Sequence, residues 1–153
     1  MNLKPSLIFE KTLSQETELK VLVEQMIISL GKKSILLLSG DLGAGKTTLI
    51  RHLCQHFGFQ LAQSPTYAIH QQHSNNEITI DHFDLYRMTS KDDLVSTGFW
   101  DLVQEGEGLI LIEWYEKMAD FEWLEFESKK RQVFGLKIQI VAKKRVFSFN
   151  ELR

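Results

Sequence analysis

The stretch from Gly40 to Thr47 constrains the fold of this chain more than any other, because it fits the spacing Gly-x-x-x-x-Gly-Lys-[Ser/Thr]. Glycines at these positions allow a tight turn, so that consecutive backbone N–H groups can point at phosphate oxygens. Lys46 would reach the β- and γ-phosphates of a nucleotide, and the Thr47 hydroxyl would hold Mg²⁺. The pattern assigns these residues to the nucleotide: Asp41, Leu42, Gly43, Ala44, Gly45, Lys46, Thr47 and Thr48.

The segments on both sides of this loop have the order that a P-loop (Walker A motif) requires. Ile35–Leu38 is a short apolar run that suits a buried strand. A Rossmann motif is excluded, because Thr48 stands where the third glycine should be. A helix ending at Gly58 is predicted beyond the loop from apolar residues at helical spacing, namely Leu49, Ile50, Leu53, Cys54 and Phe57.

The composition indicates one soluble domain over residues 1–153, with 43% hydrophobic and 25% charged residues. A net charge of −2 without a basic stripe gives no sign of strong direct nucleic-acid binding. The single cysteine, Cys54, excludes an intramolecular disulfide and suits a reducing compartment. The sequence shows neither a signal pattern nor an apolar run of membrane length, so we expect a cytoplasmic protein without membrane contact.

A strand and a helix are predicted ahead of the loop. Leu7–Phe9 has strand character, and Thr12–Gln15 resembles the capping box that opens a helix, with Ser14 as an alternative cap. The helix should end at Gly31. Its apolar stripe consists of Leu19, Leu22, Val23, Met26, Ile27 and Leu30.

Two further strands, Tyr67–His73 and Glu77–Phe83, are predicted behind the loop and are joined by a short polar connection typical of a hairpin. Alternation along the second strand puts His82 and Asp84 on one face and Asp81 on the other. Ser90 could then open a short helix through residue 95, which Gly98 would break.

The remaining segments complete the predicted architecture. Leu109–Ile112 is a second wholly apolar run, which suits a central strand parallel to the one before the loop. Val133–Val141 alternates with Ile140 on its apolar face, and Val146–Phe149 should return antiparallel to it after a turn at residues 143–144. The predicted fold class is α/β: a P-loop NTPase-like mixed sheet with parallel core strands, antiparallel additions and flanking helices.

Two carboxylates are candidates for chemistry, because phosphoryl transfer needs a carboxylate near the metal and a group that positions the nucleophile. Glu113 ends the second apolar run, and a parallel strand would place it beside Thr47. Asp84 ends another predicted strand. The alternatives are a charge that simply marks the strand end for Glu113, and a turn cap for Asp84.

Two other features have an open interpretation. Ser64, Pro65, Thr66 and Tyr67 form a loop segment that suits a switch sensing the γ-phosphate, or an ordinary proline-containing turn. Trp114 follows Glu113 directly. Its ring would either cover the nucleotide or a partner surface, or pack half-buried in the core.

Four of these stretches occur in the order found in the TsaE (YjeE) family, which the chain resembles closely between residues 40 and 114. They are Gly40–Thr48, Ser64–Tyr67, His82–Arg87 and Ile112–Trp114. The first is common to P-loop proteins, whereas the series of four is specific. Tyr67 stands where many relatives carry phenylalanine.

The resemblance implies a bacterial ATPase that binds ATP or ADP with Mg²⁺ and serves the synthesis of threonylcarbamoyladenosine in tRNA. In that family the protein docks on the TsaB–TsaD pair, and its ATP hydrolysis supports repeated turnover. Carried over by position, Lys46 contacts phosphate, and Thr47 and Glu113 hold the metal ion. Asp84 is needed for hydrolysis, Trp114 lies next to the site, and Ser64 to Tyr67 correspond to the switch-like loop.

Two other functions remain open from the residues alone. One is a small-molecule kinase in which Asp84 serves as base for a substrate hydroxyl. Its expected arginine-bearing lid is not evident, since the arginines are spread along the chain: Arg51, Arg87, Arg131, Arg145 and Arg153. The other is a nucleotide-binding interaction module without catalysis. The chain contains no Asn-Lys-x-Asp guanine motif, which is compatible with ATP.

Overall fold

The computed structural model describes residues 4–60, 68–121 and 131–153. Within these ranges the strands are β1 (Pro5–Leu13), β2 (Ser34–Ser39), β3 (His70–Ser74), β4 (Thr79–Asp84), β5 (Leu109–Glu113), β6 (Gln132–Val141) and β7 (Lys144–Leu152). The α-helices are α1 (Leu19–Ser29), α2 (Lys46–His56), α3 (Lys91–Val95) and α4 (Phe99–Glu105). Three segments are 3₁₀ helices: Glu16–Glu18, Leu85–Arg87 and Tyr115–Phe121.

The strands form one mixed sheet in the order β1-β7-β6-β2-β5-β4-β3. Its centre is parallel, since β2 pairs in parallel with both β5 and β6, and β4 pairs in parallel with β5. Antiparallel pairs complete it on both sides, β1 with β7, β6 with β7, and β3 with β4. The predicted α/β class with parallel core strands and antiparallel additions is confirmed.

Helices cover both faces of the sheet, which explains why its two central strands are apolar over Ile35–Leu38 and Leu109–Ile112. On one face, α1 and α2 bury residues such as Met26 and Leu53 against Leu36 and Leu111. On the other face, α3 and α4 belong to a second cluster that includes Phe99. The apolar runs that were predicted as parallel central strands therefore contribute side chains to both hydrophobic clusters, one on each face of the sheet.

The predicted helix start at Thr12–Gln15 is wrong. The first strand continues to Leu13, because β1 pairs with β7 from Pro5 to Leu13, with one register shift between Leu7 and Phe9. The helical turns begin only at Glu16. The Glu18 carboxylate accepts the backbone N–H groups of Ser14 and Gln15, both at 2.8 Å, so this acidic side chain completes the start.

Sequence reasoning also missed helix α4 and misplaced one turn. Gly98, predicted to break a helix, has a φ of 74° and precedes α4, a short helix whose apolar spacing is too brief to be conspicuous. The β6–β7 turn uses Ala142 and Lys143, with φ of 48° and 65°, one residue earlier than predicted. Ile140 is 52% exposed rather than in the core, because this end of the hairpin lies outside the buried cluster.

Candidate functional site

The predicted P-loop connects β2 to α2, as its sequence requires. Gly40 has a φ of 150°, and a Cβ atom at this position would lie 2.7 Å from the carbonyl oxygen of Ile138 on the neighbouring strand. Gly45, directly before α2, has a φ of 109°, which side-chain-bearing residues rarely adopt. These two glycines therefore allow the loop to lie close to the sheet and then turn into the helix.

An arginine of the antiparallel half holds this loop from the side. Arg145, near the start of β7, donates from Nε to the Ala44 carbonyl at 2.9 Å and from its guanidinium to the Gly43 carbonyl at 3.5 Å. The two partners are 101 and 102 residues away in the sequence. Sequence reasoning assigned Arg145 no role, since its position follows only from the pairing of β6 and β7 beside the loop.

Lys46 is buried at the first position of α2, and its ammonium group lies within the loop. It donates to the Gly40 carbonyl and, at 3.2 Å, to the Asp41 carbonyl. It also lies 4.1 Å from the centre of the Trp114 ring, a cation–π contact. The ammonium group is thus held where the loop carbonyls and an aromatic face converge.

Trp114 has a left-handed backbone, with a φ of 58°. Such a conformation costs a non-glycine residue about 1–3 kcal/mol and is concentrated at functional sites. Its half-buried ring packs against the core cluster that contains Phe99, and it lies 5.0 Å from the ring of Tyr86. The half-buried packing agrees with the core interpretation, and the ring also borders the loop; its covering of a nucleotide or a partner surface stays a prediction.

Glu113 lies beside Thr47. Strand β5 pairs in parallel with β2, with Glu113 in register with Leu38, so its side chain extends from the carboxyl edge of the sheet. Its Oε1 accepts a hydrogen bond from the Thr47 hydroxyl at 2.9 Å, and its side chain is 2% exposed. Because the hydroxyl hydrogen is directed at Glu113, the Thr47 oxygen keeps lone pairs for another partner.

The other carboxylate oxygen of Glu113 contacts a residue whose role sequence reasoning missed. Glu113 Oε2 lies 2.7 Å from His82 Nε2, and His82 is 5% exposed. Two signals could have associated it with the site: the alternation of β4 had placed His82 on the face of Asp84, and His82 opens the family stretch His82–Arg87. The isolated histidine carried no spacing that indicated a partner.

Asp84 stands opposite Glu113 in the register of β4 and β5. Its carboxylate accepts the Tyr86 backbone N–H at 3.1 Å, so the turn-cap alternative is correct as far as it goes. Partial burial raises the pKa of Asp84, and the negative charge of Glu113 adds to this increase. The bond from Tyr86 and the charge of Lys46 act in the opposite direction.

These groups line one cavity of about 380 Å³. Its walls bring together Leu42, Gly43, Gly45, Lys46, Thr47, Thr48, Asp84, Tyr86, Arg87, Glu113 and Trp114. A second pocket, of about 180 Å³, shares Gly43, Gly45 and Thr48 with it and extends to Leu13, Leu19 and Phe147. The two pockets therefore lie along the same loop.

Two remaining expectations concern the switch-like loop and the metal. Ser64, Pro65, Thr66 and Tyr67 lie outside the described residues. Among the side chains that the structure describes, no group of three or more His, Cys, Asp and Glu could hold a metal ion. The hydroxyl of Thr47 and the carboxylate of Glu113 nevertheless suit Mg²⁺, which prefers a few oxygen ligands together with phosphates and water.

No helix in the described ranges combines the length and the apolar character needed to cross a lipid bilayer.

Comparison with solved structures shows the fold. The chain resembles the crystal structure of Bacillus subtilis YdiB with a TM-score of 0.67 and 20% sequence identity, over 100% of this chain and 89% of that one. At this level of identity the likeness concerns the architecture of the sheet and its helices.

Sequence comparison finds curated relatives that are named tRNA threonylcarbamoyladenosine biosynthesis protein TsaE. The protein from Rickettsia felis is 40% identical over 106 residues, covering 68% of this chain and 61% of its own length. That from Borreliella burgdorferi is 30% identical over 116 residues, covering 76% and 80%. The matched part thus spans less than two thirds of the proteins from Rickettsia felis and Rickettsia conorii, 61% and 60% of their lengths.

A family model described as threonylcarbamoyl adenosine biosynthesis protein TsaE matches residues 13–145, which include the loop, both strand-end carboxylates and Arg145. The predicted resemblance is confirmed, and the chain belongs to the TsaE family.

Proposed function

We propose that this protein is a Mg²⁺-dependent ATPase that supports threonylcarbamoyladenosine synthesis in tRNA. The observation that carries the proposal is the 2.9 Å hydrogen bond between Thr47 and Glu113 at the wall of the P-loop cavity. It joins the two oxygen ligands that would hold a nucleotide-bound Mg²⁺, directly beside the backbone that would hold the phosphates.

The nucleotide would lie along the loop through both pockets. Its phosphates would take the larger cavity, where the loop N–H groups and the ammonium group of Lys46 can donate to them. Lys46 would then exchange its bonds to the Gly40 and Asp41 carbonyls for phosphate oxygens. The base would take the smaller pocket, whose apolar walls are Leu13, Leu19 and Phe147.

Glu113 and Thr47 would hold Mg²⁺, which supplies positive charge against the phosphate oxygens when bound. Asp84 is the candidate for orienting the attacking water, because it stands opposite Glu113 and lines the same cavity. Partial burial raises the pKa of this carboxyl group above its ordinary value. Trp114 would limit the position of Lys46 through their ring contact.

The partner is proposed from the family. The curated relatives are named for tRNA threonylcarbamoyladenosine biosynthesis, and we propose docking on the TsaB–TsaD pair with hydrolysis that depends on that pair. A single cytoplasmic domain would suffice for this role. ATP is the proposed nucleotide because the family resemblance implies it. Ser64 to Tyr67 are the proposed switch-like segment.

Phosphate release with and without the TsaB–TsaD pair tests this proposal. Wild-type protein should hydrolyse ATP slowly alone and faster with the pair. Thr47→Ala should lower the rate about 10–100-fold and Glu113→Ala at least about 100-fold. Ser148→Ala is a matched control, since it also removes a hydroxyl that donates to a carboxylate at 2.9 Å, in this case that of Glu10. Unchanged hydrolysis in both site variants would contradict the site assignment.

Two competing functions have distinct outcomes in the same assay. Robust phosphorylation of a nucleoside or another small alcohol would favour a kinase, with Asp84 as the base. Nucleotide binding without phosphate release at any ratio of the partner pair would favour an interaction module. Against the kinase, Arg131 and Arg145 both bond to backbone carbonyls of this chain, which leaves them in structural roles.

A further inference from the structure

The histidine beside Glu113 is buried and has a defined partner. His82 Nε2 lies 2.7 Å from Glu113 Oε2, and the two side chains are 5% and 2% exposed. His82 is the neighbour of Leu111 in the register of β4 and β5, one step along the face from Asp84 and Glu113. The ring therefore lies between the apolar core below and the carboxylate at the strand end.

The chemistry of the pair fixes the direction of its hydrogen bond. An ionised carboxylate has acceptors and no donor, so His82 Nε2 must carry the hydrogen that it shares with Glu113. The hydroxyl of Thr47 donates to the other oxygen, Oε1, at 2.9 Å. Each oxygen of Glu113 thus has one donor, and the carboxylate plane cannot rotate without losing both bonds.

We propose that His82 is a positioning residue for Glu113. By holding Oε2, it orients the carboxylate so that Oε1 accepts from the Thr47 hydroxyl and Glu113 would be placed to hold the metal ion of a bound nucleotide. This inference rests on the proposed function. Partners that orient a metal ligand typically change metal affinity or activity by about 10–100-fold when removed.

A second histidine pair in the same sheet serves as a matched control. His70 Nε2 lies 2.8 Å from Asp81 Oδ1, and Asp81 faces the opposite side of β4 from His82. The chemistry is the same, but among the described residues no P-loop residue makes a hydrogen bond or an ion pair with Asp81, which bonds to His70 and Gln72. If His82 merely filled space or stabilised the sheet, changes at the two histidines would have the same kind of effect.

The experiment measures affinity for a non-hydrolysable ATP analogue in Mg²⁺ and in EDTA. The decisive quantity is the ratio of the two affinities, because a purely structural change alters both. His82→Gln can still present an N–H near the Nε2 position, whereas His82→Asn is too short and His82→Leu has no donor. His70→Gln and His70→Leu are the controls, and thermal unfolding of each variant reports its stability.

The gain from Mg²⁺ is the factor by which the affinity for the analogue is higher in Mg²⁺ than in EDTA. His82→Asn and His82→Leu should lower this gain at least about tenfold, with little change of the affinity in EDTA. His82→Gln and both His70 variants should keep the gain. If His82→Leu does not fold, the smaller polar His82→Asn carries the comparison with His82→Gln. A normal gain in His82→Asn, or an equal loss in His82→Gln, would overturn the inference.

The wild-type protein separates this inference from the proposed function. A wild type that binds the analogue without any gain from Mg²⁺ would overturn both. A wild type with a clear gain that survives in His82→Asn would overturn only the role of His82 and would leave the proposed ATPase in place.

Discussion

Two histidine–carboxylate pairs lie on opposite faces of β4, and their contacts are closely similar. His82 and Glu113 are 2.7 Å apart, whereas His70 and Asp81 are 2.8 Å apart. Glu113 and Asp81 are both 2% exposed. The histidines differ more, since the His70 side chain is 21% exposed and that of His82 is 5% exposed. The contact distance and the burial of the carboxylate therefore do not distinguish the pair at the candidate site from the pair on the other face.

The pairs differ in the third group that each carboxylate contacts. Glu113 receives His82 on one oxygen and the Thr47 hydroxyl on the other, so it connects the sheet to the P-loop helix. Asp81 receives His70 and the Gln72 side chain on the same oxygen, Oδ1, so it connects two strands. The position of Glu113 at the carboxyl edge of parallel strands gives its pair access to a ligand.

Replacing each carboxylate separately by its neutral amide should distinguish the two pairs most clearly. We expect Glu113→Gln to lower ATP hydrolysis at least about 100-fold, because it removes the negative charge that would hold Mg²⁺ beside the phosphates. Asp81→Asn should leave hydrolysis within about twofold and lower the free energy of unfolding by about 1–3 kcal/mol, since a buried hydrogen-bond network is weakened. Phosphate release and denaturant unfolding measure the two effects. Similar losses of hydrolysis in both variants would refute the distinction.

Removing the partner other than histidine from each carboxylate, Thr47 for Glu113 and Gln72 for Asp81, should show the difference between the pairs more finely. Thr47→Val keeps the shape of the side chain without its hydroxyl and should lower hydrolysis about 10–100-fold, while Thr47→Ser should remain near wild type. Gln72→Leu, the equivalent change at the other pair, should leave the rate unaltered. Steady-state phosphate release is the measurement. A defect in Thr47→Ser as large as in Thr47→Val would indicate that packing, and not the hydroxyl, is what matters.

Arg145 offers a way to alter the loop without touching either carboxylate. Arg145→Met should weaken nucleotide binding by about three- to tenfold, since a charge-assisted bond to the Ala44 carbonyl is lost. The loss should be equal in Mg²⁺ and in EDTA, unlike the effect expected at His82. Arg153→Met, which removes a surface contact to Glu151, is the control. Calorimetric titration measures both affinities. A loss of affinity in Mg²⁺ alone would contradict this division of roles.

The smallest expected effect concerns Asp84 and the pH dependence of stability. Burial raises its pKa in the folded protein above the ordinary 3.8, so wild type loses stability as pH rises from 3.8 through the folded pKa. Asp84→Asn can still accept the Tyr86 N–H and should be more stable than wild type at neutral pH. The two should converge below pH 3.8. Unfolding curves across this range test it, and a constant difference at every pH would exclude the titration of Asp84 as its cause.

Sequence reasoning reached the parts of the fold that depend on local pattern. The P-loop, its flanking strand and helix, and the parallel strand ending at Glu113 all carry strong periodicity or fixed spacing. Contacts that depend on which particular strands pair, and in which register, were inaccessible to it. Arg145 reaches the loop only through strand pairing, and the extension of β1 to Leu13 depends on its partner β7.

The limits within the candidate site have the same origin. Glu113 was placed beside Thr47 because parallel strands end at a common edge, and the contact follows from that rule. The bond of His82 to Glu113 depends on the register between β4 and β5, which a single sequence does not specify.

The central claim is that Glu113 belongs to a Mg²⁺-nucleotide site and Asp81 to the framework of the sheet. Its most direct test is the affinity for a non-hydrolysable ATP analogue in Mg²⁺ and in EDTA, measured for wild type, Glu113→Gln and Asp81→Asn. We predict that Glu113→Gln loses at least about tenfold of the Mg²⁺-dependent gain, whereas Asp81→Asn keeps it. An undiminished gain in Glu113→Gln would contradict the claim.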